Sequence, residues 1–105
     1  MMFPKKKRVR LKGNAVSELN KEIHGRDKDR CIIKSCRVFV PIGVKWHHEP
    51  CGSNKEDVKE KGLILCQGCH YERHFGVRSA EIKAECEEYL RGLYPEVWDE
   101  YSSVS

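Results

Sequence analysis

The sequence predicts a small α+β domain held together by bound metal, and three observations carry that expectation. The chain has 105 residues, enough for one domain but too few for a thick apolar core without some added staple. It contains six cysteines and five histidines, several of them in close pairs. Stretches with helical spacing of apolar residues alternate with runs rich in β-branched and aromatic residues.

The elements follow in order. Residues 1–13 read as a basic flexible arm, with Lys5, Lys6, Lys7, Arg8, Arg10 and Lys12 crowded together, whereas acidic residues weight the other end of the chain. Such an arm suits a polyanion, most simply nucleic acid, or else serves only as a solubilising tail. Val16, Leu19 and Ile23 recur at helical spacing and predict a helix over 14–26, ended by Gly25. The run CIIKSCRVFVPIGVKWHH, 31–48, reads as extended structure broken by a turn at Pro41 and Gly43. A polar loop follows, then a short buried strand at 63–65. The stretch CQGCHYERH, 66–74, begins a helix that stops near Gly76. Ser79 caps a last helix with Ile82, Cys86, Tyr89, Leu90 and Leu93 on one stripe, and the final residues SSVS are expected to fray. This divides the chain into the arm, a core over 14–78, and a C-terminal helix and tail over 79–105.

No apolar run reaches the length of a membrane span, and MMFPKKKRVR lacks the apolar stretch of a signal peptide, so an intracellular, non-secreted protein is expected. In a reducing compartment, paired cysteines are expected to be zinc ligands rather than disulfides.

Spacing then bears on whether the ligands in CQGCHYERH hold one ion or two. In an ordinary zinc finger about a dozen residues separate the cysteine pair from the histidine pair, so that strand and helix face each other across the ion. Here Cys69 and His70 are adjacent, and His70 and His74 lie one helical turn apart. Folding both pairs onto one tetrahedral ion would strain the first helical turn, so two sites are expected. Cys31 and Cys36 with Cys66 and Cys69 complete a closed structural zinc site. His47 or His48 can complete a three-histidine set with an open position, as a catalytic metal requires.

These residues carry a resemblance. The pattern of the cysteine pair at 31 and 36, WHH at 46–48 and GLILCQGCHYERHFG at 62–76 resembles the HNH endonucleases, in particular the phage and bacterial subgroup in which two cysteine pairs hold a structural zinc. The resemblance runs from about Leu19 to Gly76. It implies a ββα-metal (His-Me finger) nuclease core with flanking helices. It also implies a metal-dependent DNA endonuclease that nicks with weak sequence specificity, placed in the host cytoplasm if phage-encoded. Carried over by residue, His47 matches the first metal ligand, His48 the general base and His74 the second ligand. His70 matches a position that is a ligand in some members. The sequence departs from the pattern at Lys61, where the family's asparagine usually stands; Asn54 lies earlier in the same loop. That asparagine braces the loop, so the departure bears on site geometry and catalytic strength rather than on fold.

The expected cofactors are therefore a structural zinc and one catalytic divalent metal. An imidazole-rich set favours Mn²⁺, Ni²⁺, Co²⁺ or Zn²⁺ over Mg²⁺. The expected partner is double-stranded DNA, with Arg73 on the helix and Lys5, Lys6, Lys7, Arg8 and Arg10 in the arm as phosphate contacts. No base-reading element is evident, so a protein partner would have to direct any sharp specificity. The sequence does not set the oligomeric state. The bland readings place Cys86 and Trp46 in packing, Cys51 as a spare thiol and His24 on the surface. The competing reading is a non-catalytic zinc-binding module for nucleic acid or protein; it accounts for the cysteines and the charge but not for the histidines.

Overall fold

The computed structural model describes residues 9–52 and 55–103. Lys5, Lys6, Lys7, Arg8 and Asn54, singled out above, lie outside the described residues.

Helix α1 (Asn14–Asp27) runs two residues past Gly25 before Lys28, at φ 59, turns the chain left-handed. The Asp29 N–H then reaches back to the His24 carbonyl at 2.9 Å and closes the helix end. The overrun has a structural use. Arg26 Nη2 donates to the Gly62 carbonyl at 2.7 Å, and the buried Asp27 carboxylate accepts the Ile64 N–H at 3.0 Å and the Tyr89 hydroxyl. One end of α1 thereby fixes both the segment at 62–64 and a later helix.

The segment after α1 is less regular than its composition predicts. An isolated bridge pairs Arg30 with Phe39, and Cys36 and Arg37 both turn back onto the Ile33 carbonyl. A tight turn that brings two cysteines together displaces the ladder a longer strand would need. Regular pairing begins only at β1 (His47–His48), antiparallel to β2 (Gly62–Leu63), with His47 opposite Leu63 and His48 opposite Gly62. A 3-10 turn at Lys59–Lys61 leads into β2. Gly62 has to be glycine, because an added Cβ would lie 2.6 Å from the Trp46 ring and 2.9 Å from Ile23.

Helices α2 (Gln67–Phe75), α3 (Ser79–Leu93) and α4 (Pro95–Ser103) complete the α+β fold. The core gathers Ile23, Trp46, Leu63 and Ile64 with Ile82, Cys86 and Leu90 of α3. Cys86 and Trp46 thus take the packing roles expected of them, while Leu93, at the end of the stripe, stays 44% exposed. Ser102 and Ser103, expected to fray, close a helix that begins at Pro95, and residues 104 and 105 lie outside the described residues; Trp98 of this helix is buried and donates Nε1–H to the Glu60 carbonyl at 2.8 Å. Pro95 followed by an acidic residue was the available start signal. No helix among the described residues is long and apolar enough to cross a membrane.

Candidate metal centres and the histidine cleft

The Sγ atoms of Cys31, Cys36, Cys66 and Cys69 lie within 4.8 Å of one another. Cys36 and Cys66 approach to 3.7 Å. A tetrahedral zinc with its usual Zn–S distance spaces its sulfurs by about 3.8 Å, so the cluster has the dimensions of a four-thiolate site and can hold a structural metal. It stands where two chain segments meet. Cys31 and Cys36 sit in the turn after α1, and Cys66 is the N-cap of α2, its sulfur accepting the Cys69 N–H. Burial pushes the Cys31 and Cys69 thiols up. At Cys66 burial acts the same way, but hydrogen bonds from the Cys69 N–H and the neighbouring thiols outweigh it and draw the group down. One thiol is thus poised to ionise first in a crowd that resists further charge, the setting a divalent cation relieves.

From this anchored start, α2 carries His70 and His74 one turn apart toward β1. Their Nε2 atoms stand 3.2 Å apart, and ligand nitrogens of His47, His70 and His74 all fall within 4.8 Å of one another. For zinc–imidazole distances the edge of a tetrahedron is about 3.4 Å, so three rings at this spacing can share one ion. Burial, and then the neighbouring imidazoles, lower the His70 pKa to about 4; burial, then His47 and Arg73, lower that of His74. Both rings are therefore neutral near pH 7, the form that binds metal. The two clusters share no residue.

Two carboxylates hold the strand histidines. Glu49 is fully buried and its carboxylate accepts from Arg73 Nε at 2.9 Å and Nη2 at 2.8 Å, with His47 Nε2 at 3.2 Å. Burial alone would raise the Glu49 pKa; the Arg73 and His47 hydrogen bonds hold it below the usual carboxylate range. An ionised carboxylate only accepts, so His47 donates through Nε2 and keeps the Nδ1 lone pair for a ligand bond. His48 Nε2 meets Asp57 Oδ1 at 2.7 Å, and Asp57 is likewise held low, against its burial, by the Leu11 N–H, His48 and Arg10. By the same reasoning the free lone pair of His48 is on Nδ1.

His47, His48, His70 and His74 open on one cleft of about 320 Å³, also lined by Lys45, Lys55 and Cys51. Comparison of the chain with protein families, with curated proteins and with solved structures finds no match. The site is thus read from its own geometry.

That geometry corrects several expectations. Arg73 is not available on the helix surface to meet phosphate: it is 8% exposed, and both Nε and Nη2 donate to Glu49, because α2 turns that face onto β1. Arg10 is half exposed but pairs through Nε with Asp57 at 3.2 Å, and Val9–Leu11 lie against the domain instead of swinging free within the arm. His24 is buried, not on the surface, between Asp29 and the Val44 carbonyl. Lys61 reaches Glu56 at 3.0 Å. Cys51 joins neither cluster, which agrees with its reading as a spare thiol.

Glu49 and Asp57 are the residues that sequence reasoning missed. The Glu49–Arg73 pair yields a stability prediction. Glu49→Leu leaves a buried guanidinium without its counter-charge and should lower the unfolding free energy by about 3–5 kcal/mol, whereas Glu49→Leu with Arg73→Met should recover most of the loss. Urea unfolding of the zinc-loaded variants measures both; equal losses in the single and double variants would contradict it.

Proposed function

We propose that this chain is a metal-dependent endonuclease of the HNH type that hydrolyses DNA phosphodiester bonds, nicking with weak sequence specificity. The observation that carries the reading is one cleft in which three histidines can share an ion while a fourth, His48, stands beside them with Nδ1 free. A zinc-binding module for nucleic acid or protein has no use for that arrangement. The succession β1, β2, α2, with paired histidines on the strand and on the helix, supports a ββα-metal core. Zinc on Cys31, Cys36, Cys66 and Cys69 is the structural metal.

His47, His70 and His74 would hold the catalytic ion, taken from Mn²⁺, Ni²⁺, Co²⁺, Zn²⁺ or Mg²⁺, which when bound polarises a phosphate oxygen and stabilises the leaving 3′ oxygen. The chain's own residues do the rest. His48 Nδ1 accepts the proton of the attacking water as general base, its other nitrogen held by Asp57. Lys45 and Lys55 put positive charge on the cleft wall where a phosphodiester enters. Glu49 holds His47 in the tautomer that leaves Nδ1 for the ion. The basic run Lys5–Arg8 adds attraction to the duplex. The polymer itself is the partner; a protein partner would supply any sharper targeting.

The reading is tested by incubating supercoiled plasmid with the purified chain and Mg²⁺, Mn²⁺, Ni²⁺ or Zn²⁺ in turn. Nicked circles that appear only with metal are expected. Plasmid left intact by zinc-loaded protein with every metal would overturn the reading.

The pH dependence follows from His48. Burial lowers its pKa, outweighing the opposing pull of Asp57. The ring is therefore neutral, and able to accept a proton, at pH 7 and somewhat below the ordinary histidine value. The value of kcat/KM should hold from pH 7 down through 6.5 and fall only on further acidification. An acid limb centred above pH 6.5 would contradict this.

A further inference from the structure

Asp57 stands in the loop between β1 and β2, only 3% exposed, and its carboxylate has more to do than meet His48. Oδ2 accepts the Leu11 N–H at 2.8 Å and Arg10 Nε at 3.2 Å, while Oδ1 takes His48 Nε2. The contact runs in both directions. The Asp57 N–H donates to the Val9 carbonyl at 2.8 Å, and the Val9 N–H donates to Glu56 Oε2 at 3.2 Å. Residues more than forty positions earlier in the chain thus strap the loop that holds the proposed base.

We propose that Val9–Leu11 is a positioning strap for His48, acting through Asp57, so that the segment next to the basic run sets the orientation of the imidazole as well as adding charge. The inference rests on His48 being the base. Its physical ground is the geometry of a buried carboxylate. Such a group stays in one rotamer only while its oxygens are hydrogen-bonded, and two of the three bonds to the Asp57 carboxylate described above come from the strap. With Oδ2 satisfied by Leu11 and Arg10, Oδ1 is left facing His48 Nε2 and selects the Nε2–H tautomer. With the strap removed, the carboxylate can turn to water, and the ring loses the partner that keeps Nδ1 free. Asp57 and the strap are positioning residues, since neither touches the reacting atoms.

The test separates rate from binding. Arg10→Met with Leu11→Pro removes two donors to Asp57 and keeps Lys5–Arg8; Arg10→Met alone is the milder companion. The paired variant should lower kcat by about 10–100-fold, the loss typical of removing a group that orients an active-site histidine, with KM little changed. Replacing Lys5, Lys6, Lys7 and Arg8 by glutamine should instead raise KM and leave kcat. Retained zinc in each variant checks the fold. A strap variant with wild-type kcat and raised KM would overturn the proposal, because the strap would then only bind. The ¹⁵N imidazole spectrum gives a readout independent of cleavage, and so holds even if the chain cuts no DNA. His48 should be the Nε2–H tautomer in the native chain and a mixture in the strap variants; an Nδ1–H ring in the native chain, or an unchanged ring in the variants, would overturn it.

Discussion

His48→Ala is expected to lower the plasmid-nicking rate by about 100- to 10,000-fold, the range typical of losing a positioned general base, while leaving the metal content of the chain unchanged. The second half of that expectation gives the first its meaning. His48 belongs to neither metal cluster: its Nε2 is held by Asp57, and the three-histidine group is His47, His70 and His74. A variant that lost both activity and bound ion would mean that His48 is a ligand. A variant that kept both would mean that the water loses its proton elsewhere. Rate and metal content measured on the same preparation separate these outcomes.

Cys36→Ser or Cys66→Ser should have a still larger effect, on the fold itself. Binding of a structural zinc is worth about 10–16 kcal/mol in zinc-finger peptides, and the whole stability of a small domain is about 5–15 kcal/mol. The cluster ties the turn after α1 to the start of α2, and it is α2 that brings His70 and His74 up to β1. Losing one thiolate should therefore abolish the cooperative thermal transition seen by circular dichroism, and with it the histidine site. His74→Ala, by contrast, removes an exposed ring from the cleft and should leave the transition in place. A Cys36→Ser chain melting at the native temperature would show that the four thiols carry no structural ion.

What the sequence disclosed and what it hid divide along a physical line. Ligand pairs are local features. The spacings 31/36, 66/69 and 70/74 are short enough that a turn or a helix brings each pair together, so both clusters and the split between them were legible before any fold was known. Their partners were not. Glu49 and Asp57 stand in a polar, charge-rich loop where acidic residues are ordinarily solvated, and only closure of β1 onto β2 and packing of α2 bury them. Arg73 misled for the same reason: a helical arginine beside a proposed ligand reads as exposed until the face it occupies is seen to meet Glu49. His24 reads as a helix-end surface residue when Gly25 ends α1, whereas contacts from Arg26 and Asp27 to the β2 segment carry the helix on and the ring inward. The helix at Pro95–Ser103 is short and polar on most positions, and Trp98, lodged against the Glu60 carbonyl with Val97 packed beside the core, accounts for its place.

Two separate metal sites with different work to do are proposed, and counting ions by native mass spectrometry tests them most directly. The chain as isolated should carry one zinc that survives brief chelation, and it should take up a second divalent ion that chelation removes. His74→Ala should lose the second ion and keep the first. A chain that binds a single ion at every metal concentration, or whose second ion is indifferent to His74, would contradict the assignment of the histidine cleft.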